Sequence, residues 1–199
     1  MKSLSNVGAE RLGDALGESI DDGAKLSIIS SYFTVFAYGE LKEELSKVDE
    51  VRFLFSEPTF IKRMADSKEP REFEVARRAR EVGVGGSGLE LTLRNNLNQR
   101  ALARECAEWI REKGVFKSAK TSGAIQPGGT YVVENPSGDD HAFMGAAANF
   151  TQEGLGYERR PGTVTCVSHF ENATEAVGLK MMFESVWDNP AMVEEVTAQ

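Results

Sequence analysis

Two histidines, His141 and His169, are this chain's whole supply of imidazole, the side chain that most readily serves as acid, base or nucleophile near neutral pH. Brought together by the fold, they could supply a nucleophile and an acid. A lone His at a strand end is more often a solvated or hydrogen-bonded structural group, and neither sits in a His-x-Lys triplet. Cys106 and Cys166 give neither a disulfide framework nor metal-ligand spacing, so both are expected as small buried apolar groups. The glycine run at 83–88 (GVGGSG) lacks the Lys-Ser/Thr that a phosphate-cradling loop requires and reads as a connector. No cofactor and no metal are expected.

The segment 145–156 (GAAANFTQEGLG) is built differently. Glycine and alanine let another group lie against the main chain, and Asn149 and Thr151 are the polar side chains set among them. Residues 141–144 read as a buried strand running into this segment, and 130–134 as the strand before it. Two neighbouring strands thus deliver one loop.

The arrangement resembles the phospholipase D-like superfamily, in which a His-x-Lys triplet on one strand is followed by a Gly-Ser-x-Asn loop after the next. Residues 146–151 (AAANFT) look like that second loop. Within the superfamily, the chain is similar to the phospholipase D-like domain at the N-terminus of some bacterial helicase-like ATPases. The likeness extends to 26–34 (LSIISSYFT), 51–60 (VRFLFSEPTF), 105–113 (ECAEWIREK) and 187–197 (WDNPAMVEEVT), in the expected order. It implies a cleft shared across a homodimer two-fold, because one copy of the motif makes half a site, and a helicase motor domain beyond the tail.

The catalytic pattern itself is degenerate. Where the resemblance places His and Lys, the chain has Pro127 and Gly129, and the loop Ser is Ala147. No acidic residue lies within 162–168, where active members carry one. Phosphodiester cleavage of this kind needs a nucleophile, a proton donor for the leaving oxygen and cations for the equatorial oxygens. Proline, glycine and alanine provide none of them. No catalytic residue is therefore assigned.

The elements that must position the loop are legible. Residues 9–20 read as a helix, 25–30 as a strand, 38–48 as a helix and 51–55 as a largely apolar strand, which suggests a parallel crossover. Residues 58–88 are least legible. A helix at 97–113 carries Leu102, Cys106, Trp109 and Ile110 inward, with Trp109 a core anchor, and 115–119 returns as a strand. Residues 131–134, 142–147 and 163–168 add strands, and 171–187 closes the chain as a helix with Met181 and Met182 as core filling. The expected fold is α/β, a mixed and largely parallel sheet of six to eight strands flanked by helices on both faces, in one domain spanning 1–199.

A formal net charge of −8 disfavours a generic polyanion-binding surface. The charge is uneven, since residues 62–111 hold 11 Lys and Arg against 8 Asp and Glu. Contacts to DNA or RNA would come from Arg71, Arg77, Arg78, Arg94, Arg100 and Arg104, with Asn149, Thr151, Tyr32 and Tyr131 at the loop. The competing reading makes Asn149 a turn cap and the tyrosines sheet packing. The absence of a long apolar run excludes a spanning helix, and the polar start lacks a signal-peptide core, so a cytoplasmic protein is expected. Three functions follow: a catalytically degenerate nucleic-acid-binding or partner-positioning module in bacterial DNA processing or defence, a phosphodiesterase using relocated histidines, and a structural dimerisation module.

Overall fold

A computed structural model describes residues 1–58, 88–126, 128–158 and 165–196, with 88–98 described as backbone only. Eight strands form one sheet: β1 (Lys2–Leu4), β2 (Lys25–Ser30), β3 (Glu50–Phe55), β4 (Gly114–Ala119), β5 (Gly129–Glu134), β6 (His141–Gly145), β7 (Val167–Phe170) and β8 (Val193–Glu195). Their order is β1-β7-β6-β5-β2-β3-β4-β8. The described helices are α1 (Leu12–Glu18), α2 (Val35–Glu40), α3 (Lys42–Ser46), α4 (Gly88–Lys113) and α5 (Ala173–Trp187).

The α/β class and the mixed sheet agree with the sequence, but the sheet is mostly antiparallel and not largely parallel. Only β2–β3 and β3–β4 pair in parallel; the other five pairings are antiparallel. Connection length accounts for part of the difference, since the link of 21 residues between the antiparallel β6 and β7 is long enough for a parallel return. A parallel return needs a dozen or more residues, which the chain spends between β2 and β3 and between β3 and β4. The nine-residue link after β4 and the six-residue link after β5 are too short. Edge strands β1 and β8 went unrecognised in the sequence because three residues carry no periodicity.

One face of the sheet packs on α1 to α4 through the main core, where Leu12, Leu16, Tyr38, Leu45 and Trp109 meet Leu26, Phe53 and Tyr131. Trp109 is the expected anchor, 7% exposed, with its indole N–H donating to the Leu45 carbonyl. The expected single helix at 38–48 is broken at Leu41, which leaves helical geometry at φ −112° and ψ 11°. Thr34 caps α2 by accepting from the Ala37 N–H. Cys106 is buried and its thiol is pushed up to about 12 by that burial. Cys166 is exposed, contrary to expectation, because β7 starts one residue later. The expected strand at 163–168 is displaced to 167–170, with 163 and 164 outside the described residues.

Among the described helices, α5 alone covers the other face, through two small apolar clusters separated by an ionic centre. Arg52, 5% exposed on β3, donates to Ser27 Oγ and Glu134 and grips Glu184 of α5 with two bonds of 2.9 and 2.7 Å. Its guanidinium also lies 4.8 Å from the Phe183 ring centre. Replacing Arg52 by Met should leave Glu184 facing apolar surface without its cation, while Glu134 keeps Lys180 at 2.6 Å. Breaking such a buried pair costs about 3–5 kcal/mol, and the partial exposure of Glu184 favours the lower figure. Urea unfolding should show a midpoint lowered accordingly; an unchanged midpoint would deny Arg52 this role.

Candidate functional site

The motif loop leaves β6 at Gly145, which pairs with Gly129 on β5, and crosses over the ends of β5 and β2. Glycine at 129 is required by a close approach, since a Cβ built there would lie 1.5 Å from the Ala148 carbonyl oxygen. Two residues along the same strand, the buried Tyr131 donates its hydroxyl to that carbonyl at 2.7 Å. The loop backbone therefore occupies the space into which a side chain at 129 would project.

The far half of the loop is stitched to the end of β2. Asn149 Oδ1 accepts from the Ser31 N–H at 3.0 Å and lies 3.1 Å from Ser30 Oγ, while Ser30 Oγ accepts from the Phe150 N–H at 3.0 Å. The Phe150 carbonyl then accepts from the Thr34 N–H, and the Phe150 ring stacks on Phe33 with centres 5.1 Å apart. Thr151 Oγ1 accepts from the Gly154 N–H, closing a turn. Asn6 reaches in from the chain start, donating to the Gly154 carbonyl and accepting from the Leu12 N–H at the head of α1. Ser30, Ser31 and Asn6 were not singled out from sequence. A Ser-Ser pair ending an apolar strand was the available signal for the first two.

The sequence-selected residues thus separate into groups. Asn149 and Thr151 are brought together, with side-chain oxygens committed to holding the loop. Among the described residues no acceptor is found for Asn149 Nδ2. Tyr32 is beside them and 63% exposed. Tyr131, chosen as a ligand contact, is fully buried, so it braces the loop from beneath; burial raises its hydroxyl pKa. Ala147 is exposed on the loop. Arg100 and Arg104 are exposed one turn apart on α4. Arg71, Arg77, Arg78 and Pro127 lie outside the described residues, as does the side chain of Arg94. Beside α4 runs a groove lined by Glu43, Glu105, Glu108 and Glu112 against Lys42 and Lys113, which opposes a polyanion on that flank.

His141 and His169 do come together, with His141 Nδ1 and His169 Nε2 3.2 Å apart. They lie at the start of β6, the opposite end from the motif loop, and His169 stands within β7 and not after it. Asp139 Oδ2 lies 3.6 Å from His141 Nε2. The His169 ring stacks on Phe143 at 4.1 Å. Burial, then the neighbouring His141, lowers the His169 pKa below its ordinary 6.5. The unfolded chain then takes up the proton first as pH falls, so the stability present above 6.5 is lost as pH drops through the folded value. Between pH ~7.5 and ~5.5 the urea midpoint of the wild type should fall more than that of His169→Gln. Parallel falls would assign the loss to other groups.

Among the described residues no cluster of three or more His, Cys, Asp or Glu is placed to hold a metal ion, and no helix is long and apolar enough to cross a membrane. No family model matches the chain, and no curated protein matches it significantly.

Proposed function

We propose that this chain is a catalytically silent phospholipase D-like domain whose loop surface binds single-stranded nucleic acid. One observation carries the reading: the Ala148 carbonyl stands where a side chain at Gly129 would have to begin. The position that the resemblance assigns to the phosphate-binding Lys is thereby given over to backbone packing. Beside that filled position, Tyr32 offers an exposed ring and Asn149 Nδ2 a donor. An aromatic face stacks on any base, and an amide donates to a phosphate or a base edge. The acidic balance of the chain and the acidic groove beside α4 argue for weak, salt-sensitive binding. The homodimer, the appended motor and a place in bacterial DNA processing remain part of the proposal through the resemblance alone.

Fluorescence anisotropy with a labelled oligothymidylate at low salt tests the reading. Removing one base–aromatic stack costs about 1–3 kcal/mol, so Tyr32→Ala should weaken binding by roughly 5- to 150-fold with the fold intact. Binding unchanged in Tyr32→Ala, or no binding by the wild type at low salt, would reject it and leave the loop a purely structural element.

A further inference from the structure

Where α2 and α3 meet α4 the surface holds an open groove of about 520 Å³, a size that suits a small ligand. Glu105, Glu108 and Glu112 enter it from α4 at spacings of three and four, which sets them in one row about 10 Å long. Glu43 enters from α3. The groove's own cations leave much of this charge unanswered. Lys42 pairs with Glu105 at 3.0 Å, and Lys113 directs its ammonium to the Ser46 and Val48 carbonyls. Glu43, Glu108 and Glu112 have no ion-pair partner among the described residues.

A row of carboxylates alone specifies nothing; the second feature is Tyr38. It lines the groove, is 6% exposed, and its hydroxyl makes no hydrogen bond with any described residue. No sealed side-chain oxygen of the described chain lacks a partner, so this hydroxyl opens into the groove. A tyrosine hydroxyl so deeply set ordinarily finds a partner, and the groove is where one can enter. Burial, then Cys106 and Glu105, holds its pKa above the ordinary tyrosine value, so its oxygen is that of a neutral hydroxyl, free to accept. The Trp109 ring, centred 5.2 Å from that of Tyr38, forms the apolar wall beside it.

The charge pattern and the walls decide the occupant. Among the described residues no three carboxylates converge on a metal ion, so the positive charge that answers them must be distributed along the row. Tyr38 and Trp109 are both more than nine-tenths buried, which leaves a docked peptide little exposed apolar surface on which to anchor side chains. A phosphate-bearing ligand would meet the carboxylates. We infer that this groove binds a linear aliphatic polyamine of spermidine's kind, with ammonium groups set along a methylene chain. One ammonium lies between Glu108 and Glu112 and another toward Glu43 and Glu105, the Tyr38 oxygen accepts from the chain between them, and the methylenes lie along Trp109. The inference uses none of the loop residues and stands apart from the nucleic-acid reading.

The test is an NMR titration of the whole chain, isotope-labelled at the indole nitrogens of its two tryptophans, with spermidine at low salt. The Trp109 signal should move to saturation while that of Trp187, on the other face of the sheet, stays in place. The carboxylates are exposed and each contact is modest, so Glu108→Gln with Glu112→Gln should weaken binding by about fivefold or more. Tyr38→Phe removes one oxygen and no charge; it should weaken binding about threefold or more and leave the salt dependence unchanged, a response that a merely acidic surface would not give. A stationary Trp109 signal at millimolar spermidine, affinity within about twofold of wild type in either variant, or the same movement with magnesium at equal ionic strength would each overturn the proposal. An oligoarginine peptide that displaces spermidine and binds more tightly would assign the groove to a protein partner, and overturn it too.

Discussion

Gly129→Ala is expected to be among the most damaging single-methyl additions this chain can receive. The new Cβ would lie 1.5 Å from the Ala148 carbonyl oxygen and 2.3 Å from its carbon. Rotamer changes cannot relieve an overlap with backbone, so the loop must leave its seat. Lifting it breaks the Tyr131 hydroxyl bond, the Asn149 bonds to the end of β2 and the Phe150 N–H bond to Ser30. Each contributes about 1 kcal/mol, and exposing the fully buried Phe150 costs about 2 kcal/mol more. The total, about 5 kcal/mol, is a large part of the stability of an ordinary domain. Urea unfolding should show that loss, and hydrogen exchange should show lost protection at Phe150 and Leu155. An alanine variant with unchanged stability and protection would mean that the carbonyl is not seated there.

The small residues of segment 145–156 identified a close backbone approach in the sequence, and the approach exists. What the sequence could not convey is which group approaches. A glycine that admits a ligand and a glycine that admits a carbonyl look alike as letters; only the seating of the loop's Ala148 carbonyl against Gly129 separates them. Tyr131 failed as a ligand contact for a related reason, since an alternating strand assigns a residue to a face without saying whether anything covers that face. The loop's anchors were hidden by distance along the chain: Asn6 bonds to Gly154, 148 positions away. Met181 and Met182, expected in the core, are 67% and 38% exposed; they failed differently, because methionine's hydrophobicity suits a core and an adaptable surface equally. Strands β2 and β3 were legible because they are covered on both faces and read as apolar runs.

The histidine pair shows how proximity and function come apart. Two imidazoles at 3.2 Å look like a nucleophile beside an acid. Phosphoryl transfer also needs cations at the equatorial oxygens; of the cations near His169, Lys2 is exposed on an edge strand and the N-terminal amine is held by Glu175 at 2.6 Å. The motif loop, where the resemblance would have the phosphate sit, is at the far end of β6. The pair's geometry is sufficient for a part-buried hydrogen bond that holds β6 to β7.

The wild-type chain is accordingly expected to hydrolyse no phosphodiester. Losing a nucleophile and its partner groups together lowers rates by on the order of 10⁴ to 10⁶, which places any residue of activity below detection with a bis-phosphodiester dye substrate. The decisive sample is purified wild-type protein in EDTA. Turnover that follows the protein peak through two columns, and disappears in His141→Ala or His169→Ala, would transfer the active site to the histidine pair and end the silent-domain reading. Rebuilding the motif by Pro127→His, Gly129→Lys and Ala147→Ser is expected to fail, and for a stated reason. Ala147→Ser alone should be tolerated, since that side chain is exposed on the loop. Lysine at 129 meets the Ala148 carbonyl with its first side-chain atom, whatever the remaining atoms do. The triple variant should therefore carry the instability of Gly129→Ala and gain no catalysis, while a stable triple variant with measurable turnover would mean that the loop yields readily and that the cleft is dormant, not filled.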